Sequence, residues 1–150
     1  MSTAILWPTF VLVLLIFAVL ITMAVQRFGY LKTNPPQRGD FATSASMKSY
    51  FAPVDAPANN LANLFEMPVL YLALVPMLLL FRHANHIEVA LAWIFVLLRI
   101  AHSVIHVRGG KANTRFLVFL ASCLTLSVMW VGFAIDMATA TVALANQGAL

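Results

Sequence analysis

The chain has 150 residues, of which 62% are hydrophobic and only 9% charged, with a net charge of +4. Soluble domains carry about 45–50% apolar and about 25% charged residues, so an ordinary soluble globule is excluded. Intrinsic disorder, which needs low hydrophobicity and high charge, is excluded with it. Length and a mean hydropathy of +0.91 instead point to one integral membrane domain over residues 1–150.

The first apolar segment runs from Ala4 to Val25 without a charge. It lacks a basic leader and is too long for the apolar core of a signal peptide, so it reads as a retained helix over 4–31, with Pro8 in its first turn. The long connection from Leu31 to Asn59 holds Asn34-Pro35-Pro36, Arg38-Gly39-Asp40 and Pro53 to Pro57, which are turn signals. Met47 to Phe51 is a candidate interfacial piece within it. The second segment, Leu61–Phe81, contains Glu66 and predicts a helix over 59–82. Pro68 and Pro76 kink it, and Pro68 leaves the Leu64 carbonyl without its usual donor. After a tight turn, Val89–Val107 contains Arg99 and predicts a helix over 87–107, stopped by Gly109-Gly110. The last segment, Phe116 to about Ala140, contains Asp136 and predicts a helix over 114–142. Each is long enough to cross a hydrocarbon core of about 30 Å. In lipid such segments must be helices, because every backbone group needs an internal partner. The fold class is therefore all-α, an integral membrane four-helix bundle.

Lys and Arg set the orientation. Arg27, Lys32, Arg38 and Lys48 follow the first helix and Arg108, Lys111 and Arg115 follow the third, against Arg82 alone after the second. The positive-inside rule puts the loops 32–58 and 108–114 in the cytoplasm and both termini on the opposite side. Basic residues spread among short loops serve topology, so nucleic acid is not an expected partner. Cys123 is the only cysteine, which excludes an intrachain disulfide.

Polar residues inside the membrane need partners. An Arg or Asp at mid-helix costs about 2.5–3.5 kcal/mol on insertion scales. Glu66 and Arg99 lie at matching depths, about 10–12 Å below the cytoplasmic surface. On antiparallel neighbouring helices they can form an ion pair. Asn59, Asn63 and Glu66 share one face by spacing, and Arg99, His102, Ser103 and His106 share another. Together they make a polar stripe in the cytoplasmic half, while the outer half has little beyond Asp136. Asn113 or Thr114 can cap the fourth helix, placing Arg115 in its first turn beside unpaired N–H groups, a setting for a carboxylate or thiolate. The same charge, like that of Arg27, also suits a plain interfacial residue. His102 and His106 have the spacing of a metal or haem ligand pair but no evident third ligand. Neutral hydrogen-bonding histidines and no metal are the expectation.

These residues resemble those of the MAPEG family, membrane-associated proteins in eicosanoid and glutathione metabolism. Asn63-Leu-Phe-Glu66 followed by Pro68 is similar to the family's Asn-x-x-Glu and Pro pattern. Arg99-Ile-Ala-His102-Ser-Val-Ile-His106 is similar to the Arg-x-x-His helix of the prostaglandin-synthase branch, and Arg115 falls at the spacing of that branch's arginine at helix four. The resemblance implies a homotrimer in the lipid bilayer that binds glutathione between subunits and takes a lipophilic second substrate from the membrane. Asn63, Glu66 and Arg99 are the implied glutathione contacts, with Arg27 reaching from a neighbouring subunit. His102 and His106 join the implied binding site, and Arg115 is the implied catalytic residue that stabilises the thiolate of a transferase or peroxidase. The chain departs from that branch at His106, where a tyrosine is usual, and at Phe116 and Phe119, where polar residues including a serine and a tyrosine are usual. Met67 stands where leukotriene-synthase relatives have a tyrosine. Those departures keep a second reading open, a non-catalytic binding or structural protein of the same fold. A histidine-based metal or haem binder is the third.

Overall fold

The computed structural model describes residues 3–148. After a 3₁₀ turn at Thr3–Ile5 come α1 (Leu6–Thr33), α2 (Ser44–Phe51), α3 (Ala56–Leu64), α4 (Met67–Leu80), α5 (His86–Val107) and α6 (Ala112–Gly148). A second 3₁₀ turn, Ala52–Val54, joins α2 to α3. Among the described residues, four stretches are long and apolar enough to cross a membrane: Thr3–Thr33, Ala56–Leu80, His86–Val107 and Ala112–Ala143.

α1 is apolar all round, and packing sorts its faces. Ile5, Pro8, Leu12 and Val19 are buried, whereas Trp7, Phe10, Leu14, Phe17, Ile21, Val25 and Phe28 form an exposed stripe at helical spacing. In water such a stripe would be a liability; in a helix long and apolar enough to cross a membrane it is not. The core gathers Leu12, Tyr71, Leu74, Leu78, Phe95, Val96, Leu126 and Met129 from all four spans. Tyr71 stacks on Phe95, with ring centroids 5.0 Å apart. Its hydroxyl lies 3.0 Å from that of Thr9, which already donates to the Ile5 carbonyl, so Tyr71 is the donor. The phenol is thereby satisfied inside an apolar core.

The second span is not the single kinked helix that its prolines suggest. α3 ends at Leu64, and Phe65 and Glu66 leave helical geometry, with Glu66 at ψ −94°. Pro68 then sits in the first turn of α4, where its missing N–H costs nothing. Pro76 remains inside α4. Nor does the short turn after α4 make α4 and α5 the closest pair: α5 packs most closely on α6, and also on α1 and α3.

Two helix stops are built alike. At the end of α5, Gly109 adopts φ +69°, its N–H bonds to the His106 carbonyl and the Gly110 N–H bonds to the Ile105 carbonyl. This is the Schellman arrangement that satisfies the last carbonyls. At the end of α4, the corresponding left-handed residue is Arg82, at φ +61°, and the His83 N–H bonds to the Leu78 carbonyl. The piece expected over Met47–Phe51 is helical, as the second half of α2. A reciprocal Thr43–Ser46 capping box starts it, and Tyr30, Phe41, Tyr50 and Phe51 cluster beneath it. The Tyr50 hydroxyl donates to the Asn34 carbonyl.

Candidate functional site

The site lies at the basic end of the bundle, where α3 ends, α5 ends and α6 begins. The Gly109-Gly110 stop turns the chain back so that α6 runs along α5. Gly110 has no room for a side chain, because a Cβ there would lie 2.6 Å from Ile105 Cγ2. α6 begins at Ala112, so Asn113 and Thr114 are helical residues and not the expected caps. Arg115 still falls in the first turn, its N–H bonded to the Lys111 carbonyl.

This return brings Arg115 to His102. The His102 Nδ1–H donates to the Arg115 carbonyl over 3.2 Å. A carbonyl can only accept, so Nδ1 carries the proton and Nε2 is left as an acceptor. That Nε2 is buried with no partner, as is Nδ1 of His106 one turn on. The two rings lie 5.7 Å apart. A cavity of about 390 Å³ opens beside them, lined by Asn63, His102, His106, Arg115, Phe116 and Phe119. Its size is that of a small-molecule site.

Arg99 stands behind the cavity wall, fully buried. Its Nη2 donates to the Asn63 carbonyl over 2.8 Å, and its guanidinium lies 5.6 Å from the Phe119 ring centroid. Nε and Nη1 have no acceptor. The expected Glu66–Arg99 ion pair does not form. The break at residues 65–66 carries Glu66 off the face of Asn59 and Asn63, and it ends up exposed. Arg99 takes a carbonyl at the end of α3 instead. The sequence points to a freed carbonyl at Leu64; the one used belongs to Asn63, whose side-chain amide turns back to the Asn59 carbonyl.

Of the residues singled out in sequence, Asn63, His102, His106 and Arg115 share the cavity, and Arg99 supports it. Glu66 and Arg27 do not line it. Arg27 pairs with Asp55 at 2.9 Å and lies over the Phe51 ring at 4.7 Å, pinning the connection to α1. Phe119 has a part that sequence reasoning missed, closing the space between Arg99 and His102. At the opposite end more is polar than Asp136. His83 Nδ1 lies 3.1 Å from Asp136 Oδ2, and Glu88 is buried with its backbone N–H capped by Asn85 Oδ1. The signal for Glu88 was its period: with Ala92, Phe95 and Arg99 it lies on the inward stripe of α5. Among the described residues, no three His, Cys, Asp or Glu side chains converge on a point that could hold a metal ion.

Comparison with known proteins agrees with this architecture at the level of the family. No curated protein and no solved structure matches the chain. The model of the MAPEG family matches residues 5–135, which reaches into all four spans and includes every residue lining the cavity beside His102. The chain therefore belongs to the MAPEG family.

Proposed function

We propose that this protein is a glutathione-dependent transferase or peroxidase, a homotrimer acting on a lipophilic electrophile that enters from the bilayer. The observation that carries the reading is Arg99: a buried guanidinium with two nitrogens, Nε and Nη1, that have no acceptor, held against two residues of the cavity wall. An unpaired buried charge is strongly unfavourable unless an anion completes it. A ligand carboxylate would supply a missing acceptor for the charged guanidinium.

The residues present fit glutathione, which brings two carboxylates, an ammonium and a thiol. Arg99 would hold a carboxylate. Asn63 would contribute polar contacts, and His102 would accept a hydrogen bond at Nε2. Glu66, exposed at the break, suits the ammonium. Arg115 would place its charge where a sulfur anion is favoured, which lowers the thiol pKa and raises the nucleophilic fraction. Arg27 would enter only across a subunit interface. Bound glutathione supplies the nucleophilic sulfur, and the helices exclude bulk water from it. The residue pattern resembles that of the prostaglandin-synthase branch, from which His106, Phe116 and Phe119 depart. The excess of basic residues at this end supports a cytoplasmic position for the cavity.

Phe116 and Phe119 support the second reading, a binding or structural protein without catalysis, because they put apolar rings on the cavity wall. Calorimetry of the detergent-purified protein separates the two. Glutathione should bind saturably, and Arg99→Ala should weaken it about thirtyfold, the effect of about 2 kcal/mol for a truncated buried charge contact. No binding by the wild type up to millimolar glutathione defeats the glutathione reading. Binding without turnover of any electrophile selects the second.

A further inference from the structure

Away from this cavity a second groove, of about 190 Å³, opens between α1 and α5. Leu15, Ala18 and Val19 form one wall, Ser103 and Val104 form the other, and Arg108 stands at the basic end where α5 stops. Two features of it are unmatched. Ser103 is 3% exposed, yet its hydroxyl has no hydrogen-bond partner. Thr9, Thr22, Thr125 and Ser127 all return theirs to a carbonyl one turn earlier, the ordinary solution for a hydroxyl in an apolar helix. Arg108 is exposed and, among the described residues, has no carboxylate in ion-pair range.

The two are five residues apart, about 7.5 Å along the helix axis. A ligand that satisfies both has an anion at the membrane surface, a hydrogen-bond acceptor several ångströms deeper, and an alkyl chain beyond. We infer that this groove binds one anionic glycerophospholipid per chain, with its phosphate on Arg108, an ester carbonyl accepting from Ser103 Oγ and an acyl chain against Leu15, Ala18 and Val104. The site is independent of the glutathione reading, since it shares no residue with the first cavity.

Native mass spectrometry of the delipidated full chain in mild detergent tests it, by titration with phosphatidylglycerol and phosphatidylcholine of identical acyl chains. The wild type should retain one phosphatidylglycerol per chain in preference to phosphatidylcholine. Arg108→Gln should reduce that preference about fivefold, the effect of one cation near the membrane surface. Lys111→Gln, in the same loop but outside the groove, should leave it unchanged. Ala18→Leu should fill the groove and remove bound lipid of either headgroup. Should that variant not fold, Ser103→Ala probes the groove in its place: the wild type should prefer an ester-linked lipid over its ether-linked analogue, and the variant should not. Equal retention of the two headgroups overturns the proposal, as does a loss in Lys111→Gln matching that in Arg108→Gln, which marks nonspecific annular lipid. So does an oligomer that carries no lipid and dissociates in Ala18→Leu, which makes a second copy of the chain the occupant.

Discussion

The two ends of α5 handle buried polarity in opposite ways. At the end nearer His86, Asn85 caps the helix and His83, in the turn after α4, meets Asp136 of α6, with the Glu88 carboxyl as the buried exception. At the basic end the polar groups do not answer one another. Among the described residues, ten buried side-chain polar atoms lack a partner, and eight of them belong to Arg27, Asn60, Arg99, His102, Ser103 and His106. Buried polar groups are ordinarily satisfied, and exceptions need a reason. The matched end locks the helices together. The unmatched end has hydrogen-bonding capacity left over for something that is not the chain itself.

That contrast can be broken by experiment. The largest effect should come from Arg115→Ala, which in the enzyme reading lowers thiol turnover about a hundredfold, as loss of one anion-stabilising group does, while calorimetry still finds glutathione bound. An unchanged rate would leave Arg115 as an interfacial charge. Arg99→Met tests the cost of the unmatched end directly. It should weaken glutathione binding about thirtyfold, as expected for Arg99→Ala, and yet raise the unfolding free energy of the ligand-free protein by about 1–4 kcal/mol, as replacing buried charge by apolar volume often does. A lower thermal midpoint would instead make Arg99 packing glue. Gly110→Ala should destabilise by about 1–3 kcal/mol through overpacking against Ile105, and it should impair the cavity by shifting the start of α6. At the matched end effects should be smaller. Arg82→Gly should stabilise by about 1 kcal/mol, because an L-residue is strained in the left-handed region and glycine is not. His83→Ala should cost at most about 1 kcal/mol, since the pair it breaks is part-exposed. A loss comparable to that in Gly110→Ala would show that the matched end matters more than its geometry indicates.

Much of the site was legible because helical spacing survives folding. Arg99, His102, Ser103 and His106 are all buried on the inward face of α5, as their intervals require. The basic charge of Arg115 beside a glycine stop was equally readable, since Gly109 takes the positive φ that stops a helix and sends the chain back. The loss of the Glu66–Arg99 pair was not legible. The pair requires a continuous second helix, and the two-residue break just before Pro68 is invisible to period. Asp55 gave no signal because it lies in an irregular connection, where spacing says nothing about what an aspartate will meet.

Composition alone determined that the chain lives in a membrane and that its spans are helical, because lipid offers the backbone no other partner. Periodicity determined which face of α5 turns inward. Only the tertiary structure decided which polar groups on that face find partners. A hydrogen bond depends on two atoms arriving within about 3 Å, and that is set by where separate helices end. The end of α3 gives Arg99 a carbonyl in place of a carboxylate, and the turn at Gly109 gives His102 the carbonyl of Arg115. What those two contacts leave unpaired defines the site.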